Sequence, residues 1–331
     1  MLWPCIVSLP LTLTQSIIPE LHYTKVFPAA WYDVAPRDFW ADRSVWPSPL
    51  GLSLGLAAVV VGQIFMLLYF VYIAIPMGKR TDVADRKKHD NKMTSGNNDM
   101  SVGLFVAIQK EGARSYVLSE GLTTHLTQPE GFVILGSYLI GTWMFGLMPA
   151  SYYSFAGGIN WVHVLLQLMS QEGCQYAMHM IEHTIKGTST VQIPFTTTKF
   201  NISWPFNLYA VSHKPHHVFT NPRLFDAFNG SPADTILMIL IPLFVTANLV
   251  HVNVWSYMAF GSLYANWLTL IHSEYQHPWD PIFRMIGFGT AADHHVHHKL
   301  FKYNYGHLFM YYDYVFGTYR DPSKVEVFNQ L

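Results

Sequence analysis

The sequence predicts an all-α, polytopic membrane protein: four or five transmembrane helices carrying a histidine-rich cap on the cytosolic side. Three observations carry that expectation. Half of the 331 residues are hydrophobic and only 12% are charged, about half the roughly 25% of an ordinary soluble domain. Leu50 to Ile75 runs without a charge, enough at ~1.5 Å per residue to cross a hydrocarbon core of ~30 Å. The histidines gather where apolar stretches end instead of scattering along the chain.

Two functional classes fall away on composition. A formal net charge of −1 leaves no basic surface for nucleic acid. Cys5 and Cys174 stand far apart with no C-x-x-C pair, which disfavours a disulfide scaffold, a thiolate zinc site and an iron–sulfur cluster. A metal in this chain would be held by histidine or carboxylate.

Taken in order, residues 1–48 are apolar but broken by Pro4, Pro10, Pro19, Pro28 and Pro36. Met1 to Gln15 lacks the Lys or Arg of a secretory leader, so the segment is expected to be uncleaved and membrane-proximal. Residues 49–331 read as one integral-membrane domain. Its first span, Leu50 to Ile75, is followed at once by Lys79, Arg80, Arg86, Lys87 and Lys88, which places that end in the cytosol. Residues 79–130 read as a polar cytosolic loop with one short helix around Val102 to Ala113. Gly131 to Met148 and Trp161 to Ala177 follow as further spans, and Asp234 to Val252 with Val254 to Ile271 as an apolar hairpin. Each return to the cytosolic side meets a histidine motif.

The third span closes in His179-Met-Ile-Glu-His183. Positions four apart share a helix face, so both imidazoles can meet one metal. Glu182 precedes the second histidine, unlike the H-E-x-x-H of zincins. His213-Lys-Pro-His216-His217 follows, held on a turn because Pro215 interrupts a regular helix. His272-Ser-Glu-Tyr-Gln-His277 begins where the last apolar run stops, and His294-His295-Val-His297-His298 ends the series. The candidate ligands are therefore His179, His183, His213, His216, His217, His272, His277, His294, His297 and His298. One tetrahedral zinc needs no more than four ligands, so this set fits two metals. Iron is expected because O₂ chemistry on an inert C–H bond needs a redox metal, which zinc is not.

These motifs, over Gly131 to Pro322, resemble the membrane-bound fatty acid hydroxylase/sterol desaturase superfamily. The terminal KYNYGHLFMYYDYVFGTYRDP, Lys302 to Pro322, resembles that family's ending, and HKPHH with the YNYG run is most similar to sterol C5-desaturases. The resemblance implies a non-haem di-iron centre, O₂ as co-substrate, and electrons from NAD(P)H through cytochrome b5 and its reductase. It also implies an endoplasmic reticulum membrane with the boxes facing the cytosol, and desaturation or hydroxylation of a sterol or fatty-acyl lipid. No His-Pro-Gly-Gly signature of a fused b5 module is present, so a separate carrier is expected.

The chain departs from that pattern at three places. His295 adds an imidazole, leaving either His294 or His295 to join the closing pair. Gln276 and His277 compete for one role, and Asn229-Gly-Ser-Pro232 stands where sterol-acting members often carry His-Pro. The competing classes are a zinc-dependent hydrolase or another metal-binding membrane protein, such as a carrier; a carrier would want ionisable residues inside its spans. Tyr303, Tyr305, Tyr311, Tyr312 and Tyr314 read as a membrane-interface belt, and His163 and His251 as structural.

Overall fold

The fold is described from a computed structural model, for residues 49–79, 105–113, 119, 130–192 and 196–329. The N-terminal segment and most of the 79–130 loop lie outside the described residues. The described residues divide into two compact units, one from 49–65, 130–174 and 235–266, the other from 66–79, 105–113, 119, 175–192, 196–234 and 267–329.

The first unit is helical. It takes most of α1 (Pro49–Tyr69), α2 (Gly136–Met144) with the π-helical turn Glu130–Leu135 before it, and the first part of α3 (Trp161–Thr184). The π-helical turn Thr235–Leu240 leads later into α5 (Ile241–Leu249), followed by most of α6 (Val254–Leu270). Met148, Tyr152, Ala247 and Val252 form its packed centre. Tyr152 is bonded locally: it donates to the Val250 carbonyl at 2.8 Å and accepts from Gln167 Nε2 at 2.8 Å. Val60, Ile64, Leu165, Phe244 and Leu249 are exposed on its outside, a surface suited to lipid rather than water. Two helices among the described residues, Gly55–Lys79 and Pro232–Leu249, are long and apolar enough to cross a membrane. Val133–Trp143 is shorter, and α6 has 17 residues.

The second unit is built around α8 (Ala291–Leu300), whose residues Ala291 to His298 are all buried. A capping box starts this helix: Thr290 N and Oγ1 both donate to Asp293 Oδ2, at 3.0 and 2.6 Å, and Arg284 of α7 (Asp280–Met285) pairs with the same carboxylate at 3.3 Å. Its opposite side packs on Ile108, Val325 and Phe328 through Ala291, Ala292 and Val296.

The short helix expected around Val102 to Ala113 is replaced. Val106–Ala107 is a strand, β1, paired antiparallel with β4 (Tyr275–Gln276), and Ile108 N donates to the Glu274 carbonyl at 3.0 Å. Tertiary pairing overrides the weak helical propensity of a Phe-Val-Ala-Ile stretch. The all-α expectation is corrected a second time by β2 (Lys186–Gln192) and β3 (Lys199–Asn207), an antiparallel hairpin. Its Thr, Val, Phe, Ile and Trp residues favour a pleated surface, and Gly187 takes φ +85° at its entry, a conformation glycine adopts without strain.

Candidate metal centre

Nine of the ten predicted histidines converge in the second unit, in two adjoining groups. His179, His183, His213, His217 and His297 bring five ring nitrogens within 4.8 Å of one another; His216, His272, His294 and His298 bring four. All nine are buried.

Each motif reaches this arrangement by simple geometry. On α3, His179 and His183 lie one turn apart and serve the same group. The turn after α4 (Leu208–Val211) folds so that His217 N donates to His213 O at 3.2 Å. That stacks His213 and His217 together and sends His216, on the 3₁₀ turn His216–Val218, toward the other group. The last motif mirrors it: His294 and His298, four apart on α8, share one group, and His297, rotated by ~100° from His298, enters the other. His272 follows the end of α6 and joins His216, His294 and His298.

The hydrogen bonds on the outer nitrogens show what the inner ones offer. His179 Nδ1 donates to Tyr305 O at 2.7 Å, His297 Nδ1 to Tyr303 O at 2.8 Å, His216 Nδ1 to Asn229 O at 3.1 Å and His272 Nδ1 to Leu268 O at 2.7 Å. A carbonyl can only accept, so each of these rings carries its proton on Nδ1 and presents a bare lone pair at Nε2. His213 is fixed the same way by Asp234 Oδ1 at 2.7 Å. Yet His179 Nε2 faces His213 Nε2 at 2.9 Å in the first group, and His272 Nε2 faces His216 Nε2 at 3.4 Å in the second. Two lone pairs with no proton to share repel, and a cation between them turns the repulsion into ligation. The donor set fits a metal in each group. His183, His217, His294 and His298 have no partner for Nδ1 among the described residues, so the protein leaves their tautomers open.

Burial, and then the neighbouring imidazoles, push His179, His183, His217, His294, His297 and His298 well below the ordinary range of histidine. They are neutral across physiological pH, the form that binds metal. Burial pushes Glu182 up to about 9, with the Asp234 charge adding to it. Glu182 Oε2 stands 3.8 Å from His213 Nδ1. Although Glu182, His213 and Asp234 could together hold a cation, His213 Nδ1 is committed to Asp234, the carboxylate–imidazole support familiar behind metal ligands.

His277 joins neither group. Its Nδ1 meets the Tyr69 hydroxyl at 2.8 Å, its ring stacks on Trp279 at 5.1 Å, and its backbone N donates to Asp280. Strand β4 separates it from His272 and directs it away, and Gln276 is held in the β1–β4 pair. The choice between His294 and His295 is resolved in favour of His294. His295 faces the other side of α8, where Nε2 donates to Ser273 O at 3.0 Å and Nδ1 accepts from Gln109 Nε2 at 3.2 Å. Tyr305 is no belt residue. It is buried, with its ring 5.3 Å from those of His179, His183 and His297. Tyr303, Tyr311 and Tyr314 are exposed. His163 and His251 line an open pocket of the first unit.

Two contributors were not read from the sequence. Asp234 gave no signal beyond being a lone carboxylate at the head of an apolar run. His307 could have been flagged by its place five residues after Lys302 in the aromatic tail. Its buried ring lies 5.0 Å from His179 and 5.1 Å from His294, one in each group. The tail reaches it through a tight turn: Asn304 adopts φ +53° and donates to Asp293 O at 3.0 Å. A Cβ on Gly306 would stand 2.6 Å from the Phe309 carbonyl and 2.8 Å from Asp313.

Two all-imidazole donor sets in one buried core are the donor chemistry of a histidine-ligated metal site. A family model for fatty acid hydroxylases matches residues 164–318, a stretch that contains all nine converging histidines. A protein of Phaeodactylum tricornutum named alternative squalene epoxidase is 49% identical over 324 residues, 98% of this chain and 79% of that protein. The Δ7-sterol-C5(6)-desaturase of Nicotiana tabacum is 29% identical over 164 residues, 49% of this chain and 51% of the relative. The lathosterol oxidase of Rattus norvegicus is 34% identical over 121 residues, 36% and 39% respectively. The match thus spans about half or less of these two sterol enzymes. No solved structure matches. The chain belongs to the fatty acid hydroxylase family, with sterol desaturases among its relatives, and its class of chemistry is lipid oxidation.

Proposed function

We propose that this protein is an O₂-dependent oxidase of an apolar isoprenoid lipid, working through two irons held by His179, His183, His213, His217 and His297 on one side and His216, His272, His294 and His298 on the other. The observation that carries it is the pair of opposed Nε2 lone pairs, one in each group, which calls for a cation in both. The relative named squalene epoxidase favours an alkene as substrate and an epoxide as product. The balance is alkene plus O₂, two electrons and two protons, giving epoxide and water. Bound iron would supply the reduction of O₂. The chain's own part is to hold neutral imidazoles in place, to fix their tautomers through Tyr303, Tyr305, Asn229, Leu268 and Asp234, and to exclude water with Tyr305 and Phe301, whose rings lie against His179 and His217.

The relatives that desaturate sterols support a second reading, removal of two hydrogens from a sterol C–H pair. One experiment separates the two. Full-length protein is supplied with iron, NAD(P)H, cytochrome b5 and its reductase, and given squalene or a Δ7-sterol under ¹⁸O₂. Epoxidation places one ¹⁸O in the lipid; desaturation places none there. Lipid turnover without O₂ or an electron source would overturn both readings and favour a zinc-dependent hydrolase.

We place the protein in the endoplasmic reticulum, four or five helices crossing the membrane and the histidine motifs on the cytosolic face. The Lys/Arg run after the first span supports this. Asn201-Ile-Ser203 and Asn229-Gly-Ser231 are glycosylation sequons flanking the second histidine motif. Neither carries glycan if the motifs are cytosolic. A glycosidase-sensitive mass shift abolished by Asn201→Gln or Asn229→Gln would reverse the orientation.

A further inference from the structure

The β2–β3 hairpin is absorbed by none of the chemistry above, yet it grows directly from it. Strand β2 begins three residues after His183, and β3 ends six residues before His213. The hairpin is therefore the arm between two ligand motifs. Its base is fastened by Lys186 Nζ, which sits 4.9 Å above the Tyr209 ring, and that ring packs against His183 at 5.0 Å.

The arm has two chemically different faces. Side chains alternate along a strand, and the register pairs Thr188 with Ser203 and Thr190 with Asn201. These four make a polar face, and Thr190 Oγ1 donates to Asn201 Oδ1 across it at 2.7 Å. The intervening positions of β3 are Phe200, Ile202 and Trp204, with Val191 opposite Phe200 in register. Phe200 is 43% exposed, and Phe206, beyond the irregularity near Lys186, is 55% exposed, while Ile202 and Trp204 between them are half-buried and the Trp204 indole nitrogen is buried. The two exposed phenylalanines at the ends of this row are expensive to leave in water.

The charge around it points to one occupant. Between Glu182 and Asp226 the sequence has no carboxylate, while Lys186, Lys199, Lys214 and Arg223 are all basic. Phenylalanine and tryptophan flanked by lysine suit the headgroup zone of a bilayer, above all one with anionic lipid. The chain already has helices fit to cross such a bilayer. We infer that the hairpin lies on the membrane surface with Phe200 and the accessible edges of Ile202 and Trp204 set among the lipids, a lipid-contacting arm rooted between the first and second histidine motifs.

This inference stands apart from the identity of the metal and of the substrate, and it is tested without turnover. In a C5S/C174S background, single cysteines F200C, N201C, I202C and S203C are labelled with bimane. Each full-length variant is placed in nanodiscs of phosphatidylcholine and phosphatidylserine, and retention of bound metal serves as the folding control. The expected result has a period of two. A doxyl group high on the acyl chain quenches positions 200 and 202 at least threefold more than 201 and 203, and aqueous iodide shows the reverse. Equal quenching at all four positions would overturn the arm. Shielding of 200 and 202 only when soluble cytochrome b5 is added, with no lipid quenching, would also overturn it, assigning the face to a protein partner.

Discussion

The two imidazole groups are built from the same motifs but finished differently. The larger has five donors, three of them fixed at Nδ1, and one of those fixings is a carboxylate, Asp234 on His213. The smaller has four donors, two of them fixed, and only backbone carbonyls do the fixing. A carboxylate behind a histidine raises its basicity and orients it more firmly than a carbonyl does. The difference teaches that two sites with one ligand chemistry need not be equal: the five-donor group should hold its metal longer, and the four-donor group has more room for exchangeable ligands.

Ligand removal tests this most severely. His298→Ala leaves three imidazoles in the smaller group, and metal analysis should fall from two per chain to one, with turnover lost. His183→Ala leaves four in the larger group and should keep both metals under mild chelation. If His183→Ala loses a metal as readily as His298→Ala, the inequality of the groups is wrong.

Acid is next. Burial depresses the imidazoles, so the unfolded chain, titrating near 6.5, takes up protons before the folded one. Stability from these groups is present above pH 6.5 and is lost as pH falls below it. The window extends to about 3 for His295 and His307. Each such ring contributes up to about 1.4 kcal/mol per pH unit. Chelator-treated protein should therefore melt progressively lower below pH 6.5, followed by near-ultraviolet circular dichroism. Glu182 and Glu274, raised by burial from 4.5 to about 9 and about 8, act in the opposite direction: their contribution is present below about 4.5 and is lost as pH rises toward those values, so they offset part of the histidine effect. A melting temperature unchanged between pH 6.5 and 5 would sink the account of neutral, buried rings.

Asp234→Asn sharpens the comparison within the larger group. Loss of the carboxylate should weaken that site by roughly 10–100-fold and leave the smaller site unchanged, read by competition with a chelator. His307→Ala should have the smallest effect on occupancy. Its ring touches one member of each group, so truncation should cost about 1–3 kcal/mol of stability and disturb both metal spectra alike. A change confined to one spectrum would show that His307 belongs to that group alone.

Much of this was legible in the sequence, for reasons that can be named. His179 and His183 announce a shared helix face, and Pro215 announces a turn, so the ligand motifs stand out before any coordinates. Their division between two groups does not, because it depends on the rotation of α8 against the His213–His217 turn. His277 misleads for a related reason: spacing from His272 says nothing of the two-residue strand that turns it toward Tyr69. Tyr305 looks like its exposed neighbours, and only the φ +53° turn at Asn304 shows that the chain dives inward there. The hairpin hid because its polar and aromatic residues alternate without the length or charge pattern of a span.

The interleaving of the motifs also sets a timetable. His297 completes the first group, and His294 and His298 complete the second, so the last of the donors arrive within five residues of one another near the end of the chain. A nascent chain still short of residue 294 has neither group whole, however well its earlier helices are inserted. On the proposed two-metal reading, the stretch 294–298 completes both donor sets together, so neither ion meets its full constellation ahead of the other.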